Sequence, residues 1–256
     1  GMSVTHLKRH GQFQGLLAMI MTDYTLSPFM EDIKPDVLCV SNRAVLDECR
    51  AKGMPEGILK PFGIPVSTAC KPCTDRAAAK EKLGLTADTP HVLLVGGSMG
   101  AGNLPDTIAQ LLPELPANAR LTVVCGSNEA IRAEAEKSFA TDKRVAVLGR
   151  VTPLYDLMAG CDVLLTKSGG LTTTEAMTIG TPIVVVNPIV GCETENAAFF
   201  ERKGLALYAR NMAEIPEKTA RLLNSEALRS QMIEVQHREI DPECSKHIAA
   251  YLIELM

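Results

Sequence analysis

The sequence predicts an α/β fold built on a parallel sheet that helices cover on both faces. Strand-sized apolar runs alternate with helical segments from about residue 75 onward. Runs such as 92–95 and 183–186 are continuously Val, Ile or Leu, which is typical of strands buried on both faces. Since such sheets bind ligands at the carboxyl ends of their strands, we expect functional residues directly after the strands.

The first part of the chain predicts an incomplete domain. Segments 16–21 and 37–40 are predicted strands, 43–52 is a helix ended by Gly53, and 58–61 is a short extended piece. This is too little for a doubly wound domain. We therefore expect residues 1–66 to be the remnant of an N-terminal α/β domain.

After a linker near residues 65–74, the pattern predicts one complete parallel-sheet domain over residues 67–240. A final helix at 241–256 is expected to pack back on the N-terminal part. The predicted helices are 75–83, 103–112, 128–139, 153–159, 172–179 and 193–203, and the predicted strands are 91–95, 121–125, 144–148, 163–166, 183–186 and 205–208.

Composition narrows the class of protein. The chain has 256 residues and a net charge of −4, so no broad cationic surface for nucleic acid is expected. Its apolar runs are far shorter than a membrane span, and it begins without a secretion-signal pattern. The eight cysteines favour a reducing cytoplasm. Cys70 and Cys73 have CxxC spacing but no second ligand pair, so no metal site is expected.

A glycine-rich run at 96–102 follows the predicted strand 91–95. Its glycines either let the backbone approach a diphosphate or only tighten the turn. The run lacks the Lys-Ser/Thr ending of a P-loop and the spacing of GxGxxG, which disfavours ATP hydrolysis and NAD chemistry. After the next strand, Ser127 is the predicted N-cap of a helix.

The most informative stretch is 166–204. Lys167 and a Gly-Gly pair follow a buried strand at a helix start, and a second helix begins with Glu193 and Glu195. Two helix N-termini in one crevice form an anion site, and the carboxylates suit hydroxyls. The stretch therefore predicts a nucleotide-sugar pocket. Glu175, expected in the first turn of its helix, has a second explanation, because a carboxylate there also complements the helix dipole.

These motifs resemble a group of glycosyltransferases that includes the monogalactosyl- and glucosyl-diacylglycerol synthases and, more distantly, the MurG-type N-acetylglucosaminyltransferases. Segments 22–25 and 63–66 resemble the end of that family's N-terminal domain. The resemblance implies a GT-B fold with one complete Rossmann-like donor domain and a partial N-terminal domain. It also implies inverting transfer in which a helix dipole, with no metal or cofactor, stabilises the departing UDP.

The resemblance also implies the site residues by position. Glu175 would bind the ribose, Arg150 and Val151 would border the uracil, and Cys192, Glu193 and Asn196 would face the donor sugar or the residues around it. The diphosphate contacts would be Gly97, Ser98, Met99, Gly100, Ser168, Gly169, Gly170, Leu171 and Thr172.

The chain departs from the family pattern in two places. Cys192 stands where relatives have a sugar-contacting Gln, and the family's catalytic His should precede Thr22 by many residues. His6 and His10 lack the family's glycine loop, so the catalytic base stays unknown. We expect this chain alone to be inactive.

Three functions remain open. The first is the donor-binding region of a hexosyltransferase that uses a UDP-sugar and a lipid or cell-envelope acceptor. Such a protein would be cytoplasmic and peripheral on the inner face of the membrane, with contact through the missing N-terminal domain. The second is the donor-binding subunit of a two-component GlcNAc transferase. The third is an enzyme similar to UDP-GlcNAc 2-epimerase.

Overall fold

The computed structural model describes residues 1–96 and 103–255, and it contains two separate parallel sheets. The helices are α1 (Met2–Arg9), α2 (Arg43–Ala51), α3 (Arg76–Lys82), α4 (Leu104–Leu111), α5 (Glu129–Ser138), α6 (Tyr155–Gly160), α7 (Gly170–Ile179), α8 (Cys192–Lys203), α9 (Glu214–Leu223), α10 (Glu226–Glu239) and α11 (Cys244–Glu254). The strands are β1 (Ala18–Ile20), β2 (Val37–Cys39), β3 (Leu59–Lys60), β4 (His91–Val95), β5 (Arg120–Val124), β6 (Val145–Leu148), β7 (Val163–Thr166), β8 (Ile183–Val185) and β9 (Leu207–Tyr208).

The large sheet has the strand order β6-β5-β4-β7-β8-β9, with every pair parallel. This is the order of a Rossmann sheet, in which the direction of winding reverses between the first strand and the fourth. Here that reversal falls between β4 and β7. One hydrophobic core lies on each face of the sheet. We call this sheet and its helices α3–α10 the large unit.

The small unit consists of α1, α2 and a sheet of order β1-β2-β3. Helix α2 begins at the cap Asn42, whose side chain accepts from the backbone N–H groups of Ala44 and Val45. Its buried face packs on one side of the small sheet through Val45 and Cys49. Helix α11 packs on the other side through Cys244 and Ile248, so both ends of the chain contribute to the small unit.

The predicted α/β fold with parallel sheets is confirmed. Strands β4 and β7 have the predicted bounds, but α7 begins two residues before the predicted start at 172. The prediction that Ser127 caps α5 is wrong, because Asn128 accepts from the Ile131 N–H at 3.1 Å and is the N-cap. The division into residues 1–66, 67–240 and 241–256 stays a prediction.

Helix α1 was not predicted from the sequence. Within the described ranges, none of the helices combines the length and apolar character needed to cross a bilayer.

Candidate functional site

A cavity of about 270 Å³ opens at the reversal point of the large sheet. It lies where β7 ends, where α7 and α8 begin, and where the loop after β1 arrives from the small unit. Its lining residues are Thr22, Asp23, Thr166, Lys167, Gly169, Gly170, Leu171, Thr172 and Glu193. The structure therefore brings five of the predicted diphosphate and sugar residues together, namely Gly169, Gly170, Leu171, Thr172 and Glu193.

A larger cavity of about 610 Å³ lies between the two units, where the chain crosses from one to the other. Phe62, His237 and Pro242 are among the residues that line it. It includes none of the residues predicted for the site, so the smaller cavity is the better candidate.

The N-terminus of α7 forms one wall of the smaller cavity. Gly169 is its N-cap, and no side chain among the described residues caps the helix. In the first hydrogen bond of the helix, the Thr173 N–H donates to the Gly169 carbonyl oxygen, with 3.2 Å between N and O. The backbone N–H groups of Gly170, Leu171 and Thr172 therefore have no partner within the helix and point beyond its end. Such a terminus binds anions.

Lys167 and Glu193 form an ion pair across the cavity wall, with 3.0 Å between Nζ and Oε1. The second Glu193 oxygen accepts from the Ile189 N–H at 2.7 Å. The Ser168 hydroxyl is buried and donates to the Glu193 carbonyl. These bonds tie the start of α8 to the end of β7, and they use the Ser168 hydroxyl within the protein.

Glu175 lies in the second turn of α7, about 7.5 Å along the helix from Gly170 at 1.5 Å per residue. Its predicted place in the first turn is wrong because α7 begins at Gly170, and the helix dipole therefore does not account for it. The carboxylate is half-buried and accepts from the Tyr155 hydroxyl at 3.2 Å. Burial raises the pKa of Glu175, and the Tyr155 hydrogen bond partly offsets this.

The loop predicted to border the uracil leads directly to Tyr155. Arg150 is exposed, whereas Val151 packs against the core cluster that contains Cys70 and Met177. Tyr155 begins α6 and bonds Glu175. The loop and Glu175 are therefore linked through one side chain that the sequence reasoning did not single out.

Asn196 is fully buried, and protein groups use its amide. Its Oδ1 accepts from the Tyr24 N–H at 2.8 Å. Its Nδ2 donates to Asp23 Oδ1 at 3.1 Å and to the Ser168 carbonyl at 3.0 Å. Asn196 therefore joins the two units in this structure, and its contacts Asp23 and Ser168 lie beside the predicted site, so its place next to the sugar stays a prediction. Cys192 is exposed at the start of α8.

Gly170 has a structural reason to be glycine. A Cβ at this position would lie 1.7 Å from the Thr22 carbonyl oxygen. The glycine is therefore required by packing, because the small unit occupies the space of a side chain. The predicted contacts at Gly97, Ser98, Met99 and Gly100 lie outside the described residues.

The sequence reasoning gave no role to Asp23. The sequence does carry one indication that Asp23 belongs to the site. Asp23 follows β1 at its carboxyl end, where parallel sheets place ligand-binding residues. Without the structure, nothing showed that this end of the small sheet meets the start of α7.

Comparison with known proteins gives matches over most of the chain. Residues 75–238 match the model of the family described as "Glycosyl transferases group 1". The "Processive diacylglycerol beta-glucosyltransferase" of Bacillus cytotoxicus is 29% identical over 254 residues, which are 98% of this chain and 65% of that protein. The chain thus spans less than two thirds of the length of this relative.

Two solved structures share the fold. MurG of Acinetobacter baumannii superposes with a TM-score of 0.67 and 21% identity, over 98% of this chain and 69% of that one. A putative UDP-N-acetylglucosamine 2-epimerase of Listeria monocytogenes gives a TM-score of 0.71 and 15% identity, over 98% and 70% of the two chains. These likenesses confirm the predicted GT-B architecture.

Proposed function

Because the chain belongs to the group 1 glycosyl transferase family, we propose that its cavity binds a UDP-sugar whose hexose is transferred to a lipid acceptor. The observation that carries this proposal is the N-terminus of α7 beside Lys167, which no described side chain caps, at the reversal point of the large sheet. Backbone N–H donors and a lysine there suit a diphosphate.

We assign the nucleoside to the side of α7 that carries Glu175. An ionised carboxylate accepts hydrogen bonds from both hydroxyls of a ribose. Tyr155 holds the Glu175 carboxylate in place, and the neighbouring loop with Arg150 and Val151 would border the base. The hexose would then lie towards Glu193 and Cys192, where the cavity continues to the start of α8.

The chemistry we propose is direct displacement at the anomeric carbon, which inverts the configuration. The bond from that carbon to the diphosphate oxygen breaks, with its electron pair going to UDP, as the acceptor hydroxyl attacks from the opposite face and gives its proton to a general base. The α7 N-terminus lies where negative charge grows on the leaving UDP, and fixed dipoles of this kind stabilise such charge. The UDP-sugar is a substrate, and we propose no further cofactor.

The acceptor we propose is a diacylglycerol-like lipid, with the protein peripheral on the inner face of a membrane. This rests on the relative of 29% identity, which its name describes as a diacylglycerol glucosyltransferase. The epimerase alternative rests on a structure of only 15% identity. Both alternatives use a UDP-sugar, so a test of donor binding comes first.

The test is calorimetric titration with UDP. We expect the chain to bind UDP, and Glu175→Gln to weaken binding about 10- to 100-fold, since a lost hydrogen bond to a charged group costs about 1.5–3 kcal/mol. The matched control is Glu195→Gln on α8, an exposed residue that does not line the cavity. It should leave the affinity unchanged. Absence of UDP binding at millimolar concentration would rule out the proposed function.

A further inference from the structure

The small unit presents one carboxylate, that of Asp23, to the cavity. The residues on both sides of Asp23 are fixed. The Thr22 carbonyl lies against Gly170, leaving no room for a side chain there. The Tyr24 side chain is buried in the large unit, and its hydroxyl lies 2.7 Å from Thr174 Oγ1. Asp23 is therefore held at the cavity by rigid neighbours.

Asp23 keeps a hydrogen-bond acceptor that the described part of the protein does not use. Its Oδ1 accepts from Asn196 Nδ2 at 3.1 Å. Within the described ranges, its Oδ2 has no hydrogen-bond partner, although the side chain is half-buried and lines the cavity. The other carboxylate of the lining, Glu193, has both oxygens occupied, by Lys167 and by the Ile189 N–H. Asp23 Oδ2 is thus the carboxylate oxygen that the described lining residues leave for a ligand.

The chemistry of this oxygen defines what it can bind. A carboxylate repels a phosphate but accepts strongly from a hydroxyl. The same cavity offers the N–H groups of α7 to an anion, so its occupant should carry a phosphate at one side and a hydroxyl at the other. A hexose attached to a diphosphate has this arrangement.

We infer that Asp23 accepts a hydrogen bond from a hydroxyl of the donor hexose, so that the sugar subsite is assembled from both units. This inference rests on the proposed function, since it places the hexose next to the diphosphate. Its consequence is that Asp23 selects for the sugar and makes no favourable contact with the nucleotide.

The experiment compares the binding of UDP with that of UDP-glucose, UDP-galactose and UDP-N-acetylglucosamine by calorimetry. The variant is Asp23→Asn, whose side-chain oxygen can still accept from Asn196. We expect the best UDP-sugar to bind the unmodified chain more tightly than UDP does. In the variant its affinity should fall about 10- to 100-fold, as for a lost charge-assisted hydrogen bond. The affinity for UDP should not fall, because the variant removes a charge that repels the diphosphate.

The matched control is Asp32→Asn, which makes the same change of charge at an exposed position of the small unit. In this variant, the difference in affinity between the UDP-sugar and UDP should be the same as in the unmodified chain. If the unmodified chain binds neither UDP nor a UDP-sugar, the proposed function fails. If UDP binds but no UDP-sugar binds more tightly, or if Asp23→Asn keeps the full difference, the role of Asp23 is overturned while the donor site stands.

Discussion

Glu175 shows how a carboxylate with a proposed function can be unfavourable for the stability of the fold. It lies half-buried on α7, and its described polar contact is the Tyr155 hydroxyl. Burial raises its pKa because the charged form loses hydration. The folded protein therefore binds a proton at Glu175 more readily than the unfolded chain does, and ionising this carboxyl costs folding free energy.

The first prediction follows from the raised pKa of Glu175. Glu175→Gln, which resembles the neutral acid, should raise the melting temperature of the ligand-free protein at neutral pH. The gain should shrink as the pH falls towards the ordinary Glu pKa of 4.5, because Glu175 then takes up a proton in the folded protein and the cost of burying its charge disappears. Scanning calorimetry of both proteins from about pH 5 to about pH 8 checks this. A difference that is independent of pH would contradict it.

Asn196 marks the limit of reading single residues from a motif. The resemblance implies that it faces the donor sugar or the residues around it, and its amide is used by Tyr24, Asp23 and Ser168. A motif identifies which residue is present but not which of its hydrogen bonds the fold already uses. Asp23 is the opposite case, because its unused oxygen becomes visible only when its neighbours are located.

At the scale of elements, α7 has two roles at one end. Its first N–H groups are open to an anion, and its first residue, Gly170, touches the small unit. The sequence predicted the helix but placed its start at 172, because a Gly-Gly pair is typical of a turn. Because the helix starts earlier, Gly170 is helical, although glycine has a low helix propensity. The contact with Thr22 supplies the reason for the glycine.

The second prediction is that Gly170→Ala destabilises the protein. An alanine inside a helix normally gains about 1 kcal/mol over glycine. Here its Cβ would lie 1.7 Å from the Thr22 carbonyl oxygen, so the loop after β1 must move, and we expect a net loss of about 1–3 kcal/mol. Urea unfolding measures the difference. Gly57→Ala is the control, since a Cβ there meets nothing within 4 Å. Stabilisation by Gly170→Ala would show that the contact is not tight.

The strands at the centre of the large sheet were the most predictable elements. β4 and β7 are short runs of apolar residues that are buried on both faces, and their bounds agree with the sequence. Helix α1 was missed because its polar residues give no buried stripe. Thr5 is its buried residue among those described.

At the scale of the whole molecule, the small unit is completed by distant parts of the chain. Helix α11 packs on the small sheet through Cys244 and Ile248. From the other side, Tyr24 enters the large unit and packs its ring against Phe199 and Phe200, with centroid distances of 5.7 Å and 4.8 Å. Periodicity predicted both units, but the contact between them depends on residues far apart in sequence.

The third prediction concerns this contact. Asn196→Ala would leave the Tyr24 N–H and the Ser168 carbonyl without their partner, and a buried group left unpaired costs about 1–3 kcal/mol. The loop after β1 should then detach more often, while the large sheet, whose two cores consist mainly of residues from the large unit, stays intact. Hydrogen exchange followed by mass spectrometry should show faster exchange at residues 18–24 and unchanged protection of β4 and β5.

Asn118→Ala is the matched control for this experiment, because Asn118 is exposed in a loop of the large unit. It should alter exchange only locally. If Asn196→Ala leaves the exchange of residues 18–24 unchanged, the amide of Asn196 is not needed to hold the loop after β1 on the large unit. If β4 and β5 also lose protection, the two units unfold as one. Loss of protection at residues 18–24 alone would mean that the cavity wall carrying Asp23 can separate from the wall carrying α7. The amide of Asn196 would then be the group that holds the two halves of the proposed sugar subsite together.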